Sequence, residues 1–214
     1  MNLAIPLAVA AATVGSLHSL APDHWIPIAA VARARGWNLR RTGQVALLCG
    51  FGHVTVSAAL GLIALISGTA VVEAVGARSA SVAGVLLIGF GVAYSLWGAR
   101  HWIMTKLHGH AHQHFDHVHD PSKRTTWMLF VIYCADPCIA VVPIIFAAAP
   151  LSAAATLAIV IVYEVATIVT MVALTLAARA GAGAIRGRWF ERYGDSVAGA
   201  LIVATGVVIG AVGW

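Results

Sequence analysis

Apolar residues form long runs along nearly the whole chain, and short polar stretches separate them. Each run is about as long as a membrane-spanning helix, which needs about 20 apolar residues to cross the hydrocarbon core. Backbone groups in lipid must satisfy their hydrogen bonds internally, so these runs are predicted to be α-helices. The predicted spans cover residues 2–32, 43–69, 80–105, 126–149, 152–178 and 195–213.

Basic residues are concentrated on one side of the predicted spans. Of the 13 Lys and Arg residues, all but Arg78 fall in or beside the loops that follow spans one, three and five. Positively charged loops mark the cytoplasmic side of a membrane, so both termini are predicted to lie outside the cytoplasm. The predicted location is a bacterial-type cell inner membrane, which the chain crosses several times.

Composition supports a membrane protein and argues against two other classes. Hydrophobic residues make up 60% of the 214 residues and charged residues 10%, which is too little charge to cover the surface of a soluble domain. The net charge of +5 could suggest nucleic acid, but the one-sided distribution of basic residues assigns it to topology. Membrane lipid is therefore an expected partner, and nucleic acid is not.

Three spans precede a long cytoplasmic loop and three follow it. The predicted organisation is a first three-helix half over residues 1–105, a histidine-rich loop over 106–125 and a second half over 126–214. An odd number of spans in each half gives the halves opposite orientations, as in inverted-repeat transporters. The predicted fold is therefore an all-α integral membrane protein with six transmembrane helices in two inverted three-helix halves.

Prolines near the middle of spans one and four predict that both helices are broken. Pro22 and Pro27 lie in span one, and Pro137 and Pro143 lie in span four. Proline has no N–H, and its ring clashes with the carbonyl four residues earlier. Irregular backbone at this depth is tolerated where it lines a site or a pathway.

Glycines in spans three and six predict close helix packing. They are Gly84, Gly89, Gly91, Gly206 and Gly210.

The most informative motif is His18-x-x-x-x-Asp23-His24 in span one. On an unbroken helix these side chains would point in different directions, but a break at Pro22 can gather them around one point. The plainer interpretation is that they are polar residues that hold helices together. Two histidines and an aspartate inside a membrane are costly, however, and such residues usually mark an ion or proton path. We interpret His18, Asp23 and His24 as metal ligands.

Span four carries a second group, Cys134-Ala135-Asp136-Pro137-Cys138. The two cysteines are four residues apart and so share one helical face, while Pro137 disturbs the backbone at Asp136. Asp136, Cys138 and Cys134 are therefore predicted to contribute to the metal path. Cys49 has no polar neighbours and is interpreted as packing.

Spans two and five each carry one ionisable residue at similar depth. His53 lies near the predicted middle of the bilayer and is interpreted as a ligand, although a lone histidine is often a satisfied core residue. Glu164 could be a ligand, a proton acceptor or a partner to His53, and the sequence does not separate these roles.

The predicted cytoplasmic loop is rich in histidine. Neutral imidazole suits nickel, cobalt, zinc and copper, whereas calcium and magnesium prefer oxygen. Alternation with small polar residues predicts a flexible chelating arm, and the alternatives are a solvated linker or a pH-responsive segment. The loop histidines are His108, His110, His112, His114, His117 and His119.

On these residues the chain resembles the nickel/cobalt transporter superfamily, which includes short urease-linked permeases and effluxers with a histidine-rich loop. The matching pieces are His18-x-x-x-x-Asp23-His24, the Gly52-His53-x-Thr55 element and the histidine loop between two three-helix halves. The resemblance implies selective passage of Ni²⁺ or Co²⁺, with the first-helix motif essential. The second half departs from the family in offering cysteines, and because thiolates favour softer ions, Zn²⁺ and Cu⁺ remain open.

The predicted function is thus transport of a divalent transition metal by alternating access, without enzymatic activity and without a prosthetic cofactor. The loop would concentrate ions at the cytoplasmic mouth, where it could exchange them with a metallochaperone. The alternative is a membrane thiol–disulfide electron carrier that uses Cys134 and Cys138. Related six-helix carriers need a cysteine on the first helix of each half, and span one has histidine and aspartate there.

Overall fold

The structure is a computed structural model that describes residues 3–67, 82, 84–100, 121–184 and 188–212. Over these residues the chain is all-helical, as the apolar runs predict, and contains no strand. Residues 106–120 of the predicted histidine loop lie outside the described residues. The other predicted loop residues, 121–125, belong to helix α5. The helices are α1 (Ala4–His18), α2 (Pro22–Ala34), α3 (Leu39–Ser67), α4 (Gly84–Arg100), α5 (Pro121–Ala135), α6 (Val141–Ala148), α7 (Ala153–Ala184) and α8 (Arg188–Val212).

Among the described residues, two helices are long and apolar enough to cross a membrane. They are α3 and the Ala153–Gly181 part of α7, and the bent pair of α1 and α2 makes a third if it forms one span. Large apolar side chains also cover the outside of the bundle: Ile5 is 68% exposed, Ile66 79% and Val85 68%. Such surfaces suit a lipid environment, so the structure supports association with a membrane. Six spans and an inverted repeat stay predictions.

The predicted break in the first apolar run is present at Pro22. Helix α1 ends at His18, α2 begins at Pro22, and the two axes differ by 50°. Ala21, before the proline, has an extended backbone with φ −56° and ψ 136°, as expected for a residue that precedes proline. Pro22 therefore starts a new helix, where its missing N–H costs nothing. Pro27, by contrast, lies inside α2, and the helix continues through it.

A second interruption separates α5 from α6 at residues 136–140. Pro137 cannot donate a backbone hydrogen bond there, and the next backbone N–H, that of Cys138, donates to Ser57 Oγ on α3 at 2.7 Å. Ser57 Oγ in turn donates to the His53 carbonyl at 2.6 Å. One hydroxyl of α3 thus stabilises the broken helix and ties it to the turn that carries His53.

Close contacts hold α1 against α7 and α3 against α5. A Cβ atom added at Gly15 of α1 would lie 2.7 Å from the Tyr163 carbonyl oxygen of α7. Ser19 Oγ, just beyond α1, lies 3.1 Å from the Thr167 carbonyl oxygen. On the other side of the bundle, a Cβ atom at Gly52 would lie 2.6 Å from the Phe130 ring. These approaches bring His18 and His53 into the interior.

Candidate metal centre

Three histidines from three helices meet inside the bundle. His18 is the last residue of α1, His24 lies in the first turn of α2, and His53 is at the middle of the 29-residue α3. One nitrogen from each ring lies within 4.8 Å of one nitrogen from each of the others. The ring centroids are 4.4 Å apart for His18 and His24, 5.0 Å for His24 and His53, and 6.0 Å for His18 and His53.

This spacing is close to what one bound ion requires. Metal–imidazole bonds of about 2.0–2.1 Å, the zinc values, place two ligand nitrogens about 3.3 Å apart in a tetrahedral site and about 4 Å apart across an octahedron. The observed limit of 4.8 Å is longer than these distances, so the three nitrogens would have to move closer together to bind one ion. The predicted convergence of His18 and His24 is therefore present, and the break at Pro22 produces it, because the two rings lie on different helices.

Four of the six ring nitrogens of these histidines are buried without a hydrogen-bond partner among the described residues. His24 and His53 are each 2% exposed. Nε2 of His18, Nε2 of His24 and both ring nitrogens of His53 form no hydrogen bond of good geometry with any described residue, although the Tyr133 backbone lies near the His53 ring. Buried polar groups in proteins are nearly always paired with protein or ordered water, and the exceptions often mark a place that an ion completes. Each of the three converging histidines thus has at least one buried ring nitrogen that is free to bind a cation.

Asp23 orients His24. Its Oδ1 lies 3.1 Å from His24 Nδ1, where the imidazole N–H can donate to the carboxylate. With the proton on Nδ1, the lone pair of His24 is on Nε2, the nitrogen that has no other partner. Carboxylates hold metal-binding histidines in this way in many sites. Asp23 thus orients His24, and its predicted role as a metal ligand stays a prediction.

Tyr133 of α5 fixes the backbone beneath these side chains. Its buried hydroxyl lies 2.9 Å from the carbonyl oxygens of both Asp23 and His24. In a regular helix the Asp23 carbonyl would accept from residue 27, but that residue is a proline and has no N–H. Tyr133 supplies the missing donor. The sequence shows that Pro27 leaves the Asp23 carbonyl without its usual donor. It does not show which residue of another helix replaces that donor, so Tyr133 was not predicted.

A small cavity adjoins the histidines and brings Asp136 to the same place. It has a volume of about 10 Å³, and its polar lining is Asp23, His24, His53, Tyr133 and Asp136. That is roughly room for one water-sized particle. Asp136 therefore lies beside the cluster, on the interrupted segment between α5 and α6, as the sequence suggested.

The other predicted ligands lie elsewhere. The Cys138 thiol contacts the Tyr163 hydroxyl within the apolar cluster that joins α1, α6 and α7. The Cys134 sulfur packs against Gly52, where an added Cβ atom would lie 2.7 Å from it. Glu164 is half-buried on α7 and has no hydrogen bond or ion pair with a described residue. None of these three shares the histidine group.

Cys49 and the loop histidines are the remaining residues that the sequence analysis singled out. Cys49 is buried in the core cluster beside Leu129 and Tyr133, as the packing interpretation has it, and all three cysteines are free thiols. The thiol–disulfide alternative stays a prediction. All six loop histidines lie between residues 101 and 120, outside the described part of the chain.

No protein-family model, no curated protein and no solved structure matches this chain. The interpretation of the site therefore depends on its residues and their geometry.

Proposed function

We propose that this protein is a membrane transporter of divalent transition-metal ions, with Ni²⁺ or Co²⁺ as its cargo and His18, His24 and His53 as the central binding site. The observation that carries the proposal is the meeting of three imidazoles from three helices, with one nitrogen of each ring within 4.8 Å of the others and with a buried nitrogen in each ring that lacks a well-formed hydrogen bond to a described residue.

The chemistry of the donor set favours a borderline transition metal. Imidazole nitrogen suits nickel, cobalt, zinc and copper, while calcium and magnesium prefer sites built of oxygen. Cu⁺ prefers thiolates and thioethers, and neither Cys134 nor Cys138 belongs to the group of converging ligand atoms. Ni²⁺ and Co²⁺ fit the histidines and the resemblance in the sequence, and Zn²⁺ fits the histidines alone.

Charge balance also supports a divalent cargo. Asp23 and Asp136 line the cavity beside His24 and His53. Two uncompensated carboxylates are costly in the interior of a membrane protein. One divalent ion held by neutral imidazoles offsets two negative charges, so cargo and site together are neutral. When no ion is bound, the carboxylates and imidazoles of the site would take up protons instead. Protons and metal ions would then exchange at the same site.

The two interruptions flank the site and suit alternating access. The junction of α1 and α2 carries His18 and His24, and the junction of α5 and α6 carries Asp136. Transporters commonly bind their substrates at broken helices near the bilayer middle, where half-helices move against each other. The proposal includes six spans in two inverted halves, an inner-membrane location and termini outside the cytoplasm. Residues 108–119 would collect or receive ions on the cytoplasmic side and exchange them with a metallochaperone.

Metal flux into reconstituted vesicles of defined orientation tests this function. The wild-type protein should move Ni²⁺ or Co²⁺ in preference to Ca²⁺ and Mg²⁺. His18→Ala and His53→Ala should each reduce the flux at least about 10-fold, since even outer-shell partners of ligands change metal affinity 10–100-fold. Deletion of residues 108–119 should weaken transport without abolishing it, because the arm only supplies the central site.

A matched control is Thr205→Val, which removes another buried intramembrane polar group. Thr205 Oγ1 donates to the Leu201 carbonyl within its own helix, α8, and the residue is 5% exposed. Its flux should equal that of the wild type. Full flux from His24→Ala, or an equal loss in Thr205→Val, would remove the histidine cluster from the transport path.

A further inference from the structure

Three of the helices around the metal-centre cavity lead from it to the basic side of the molecule. Residues of α2, α4 and α5 line the cavity, among them His24, Leu87 and Tyr133. From these residues α2 and α4 run on to their C-terminal ends, and α5 runs back to its N-terminal end. The predicted topology assigns all three ends to the cytoplasm. The space between these helices is therefore the direct route from the cavity to the cytoplasm.

One side chain, Arg35, joins the three helices at that end. It is the C-cap residue of α2. Its Nε donates to the Tyr94 hydroxyl of α4 at 2.9 Å, and its Nη2 donates to Thr125 Oγ1 of α5 at 3.4 Å. Its guanidinium carbon lies 4.3 Å from the centroid of the Trp97 ring of α4. At 1.5 Å per residue, Arg35 is about 16 Å along α2 from His24. The helices that bound the cavity thus meet again around Arg35.

Helix α8 supplies an acid to the same group. The Tyr94 hydroxyl that accepts from Arg35 donates to Asp195 Oδ1 at 2.7 Å. Helices α4 and α8 approach closely here, since a Cβ atom added at Gly98 would lie 2.6 Å from the Asp195 Cβ atom. The packing of α4 against α8 fixes Tyr94 and Asp195 relative to each other. Arg35 therefore binds to a partner that is already in position.

Apolar packing and charge close the route between Arg35 and the cavity. Ile28 and Val31 of α2 and Leu129 of α5 are each 0% exposed, and they share one core cluster with Leu87. Apolar side chains offer no ligand to a dehydrated ion. The guanidinium carries a permanent positive charge, which repels a divalent cation. An ion could leave the cavity on this side only if Arg35 and the side chains beneath it moved.

We propose that Arg35, Tyr94, Thr125 and Asp195 form a gate at the cytoplasmic end of the metal pathway, and that the gate is closed in this structure. Hydrogen bonds and cation–π contacts are individually modest, so a movement of α2 can break and re-form them. Tyr133 joins α2 to α5 at the metal centre, and Arg35 joins them at the other end. The inference rests on the proposed transport function, because a gate needs a pathway.

Thiol labelling of the cavity tests the gate without a measurement of metal flux. The three native cysteines are replaced by alanine, Leu87→Cys places one thiol at the cavity, and a membrane-impermeant methanethiosulfonate is added on the cytoplasmic side of vesicles of known orientation. Arg35→Gln should raise the labelling rate about 10-fold, which corresponds to about 1.4 kcal/mol, because a hydrogen bond to a charged group contributes at least that much. Tyr94→Phe removes only one oxygen atom and should raise the rate in the same direction.

Two controls separate an open gate from a loosened bundle. Arg179→Gln removes another arginine of the predicted cytoplasmic side, one that donates to the Trp37 carbonyl at 2.8 Å and 3.1 Å, and should leave the labelling rate unchanged. A probe at Ala148→Cys lies on the far side of the site, because Ala148 packs with Ala64 of α3. Its labelling should stay slow in the Arg35→Gln background. Equal acceleration in either control would overturn the gate.

Flux of Ni²⁺ through the same vesicles distinguishes failure of the gate from failure of the proposed function. If the wild-type protein moves Ni²⁺ but neither Arg35→Gln nor Tyr94→Phe accelerates labelling, transport stands and the gate is wrong. If both variants accelerate labelling but the wild-type protein moves no metal, the closure of the cavity by Arg35 stands and the transport function is wrong.

Discussion

At the scale of single residues, each group around His24 has a definable task. Asp23 holds Nδ1 of the ring, the Tyr133 hydroxyl holds the carbonyls of residues 23 and 24, and Nε2 is buried without a hydrogen bond to a described residue. An imidazole fixed from two sides loses little freedom when it binds an ion, so preorganisation should contribute to metal affinity.

Tyr133→Phe tests this arrangement by removing one oxygen atom. Without the hydroxyl, the Asp23 carbonyl has no donor to replace the N–H that Pro27 lacks, and the first turn of α2 is held less firmly. The affinity of the purified protein for Co²⁺, measured by isothermal titration, should fall by about 10-fold or more.

Tyr163→Phe is the matched control for that change. Tyr163 is also fully buried, but its hydroxyl contacts the Cys138 thiol. Its Co²⁺ affinity should remain that of the wild type. If Tyr163→Phe weakened binding and Tyr133→Phe did not, Cys138 would belong to the site and the assignment of Tyr133 would be wrong.

Some of these residues follow from the sequence and others do not. His18, Asp23 and His24 stand within seven positions of one another around a proline, so local chemistry alone predicts that they meet. His53 could be added from its depth in the bilayer. Depth also grouped Glu164 with the site, and the spacing around Pro137 grouped Cys138 with it, but neither signal specifies which side of a helix faces the site. Tyr133 contacts Asp23 and His24 from another helix, and no local sequence pattern predicts that contact.

At the scale of helices, glycines set how closely the elements approach. A Cβ atom at Gly91 of α4 would lie 2.6 Å from the Gly199 carbonyl oxygen and 2.7 Å from the Val203 backbone nitrogen of α8. Both are backbone atoms and cannot rotate away. Glycines in spans three and six do mediate close packing, as predicted, but Gly89 has no atom within 4 Å of its added Cβ.

The pair Gly91→Ala and Gly89→Ala tests this contact within one helix. Gly91→Ala should lower the free energy of unfolding by about 1–3 kcal/mol, the usual cost of overpacking. Gly89→Ala should be neutral or stabilising by up to about 1 kcal/mol, because alanine is the better helix former. The midpoint of thermal unfolding in detergent reports the difference. Equal midpoints would show that α4 and α8 are not in close contact.

The proline breaks were predictable in position but not in form. Pro22 starts a helix, and Pro27 sits inside one because Tyr133 satisfies the carbonyl that it leaves free. The interruption near Pro137 is likewise held by Ser57 from α3. The sequence shows that each proline removes one backbone hydrogen-bond donor. Whether the helix then bends, ends or continues depends on what a neighbouring helix donates or accepts.

At the scale of the whole molecule, hydrophobic pattern and charge define two different regions. The histidine cluster lies where α1, α2 and α3 meet, while arginines contact the ends of several helices. Arg35 Nε donates to the Tyr94 hydroxyl at 2.9 Å, and that hydroxyl donates to Asp195 Oδ1 at 2.7 Å. This chain of bonds joins α2, α4 and α8 at the end of the bundle that the basic residues assign to the cytoplasm.

The central claim is that His18, His24 and His53 bind one transition-metal ion together. The most direct measurement is X-ray absorption at the metal edge on purified protein whose six loop histidines are replaced by alanine, loaded with one equivalent of Co²⁺ or Ni²⁺. The spectrum should show three imidazoles at about 2.0–2.1 Å, and His53→Ala in the same background should remove one of them. A spectrum of oxygen ligands alone, or no stoichiometric binding, would contradict the account.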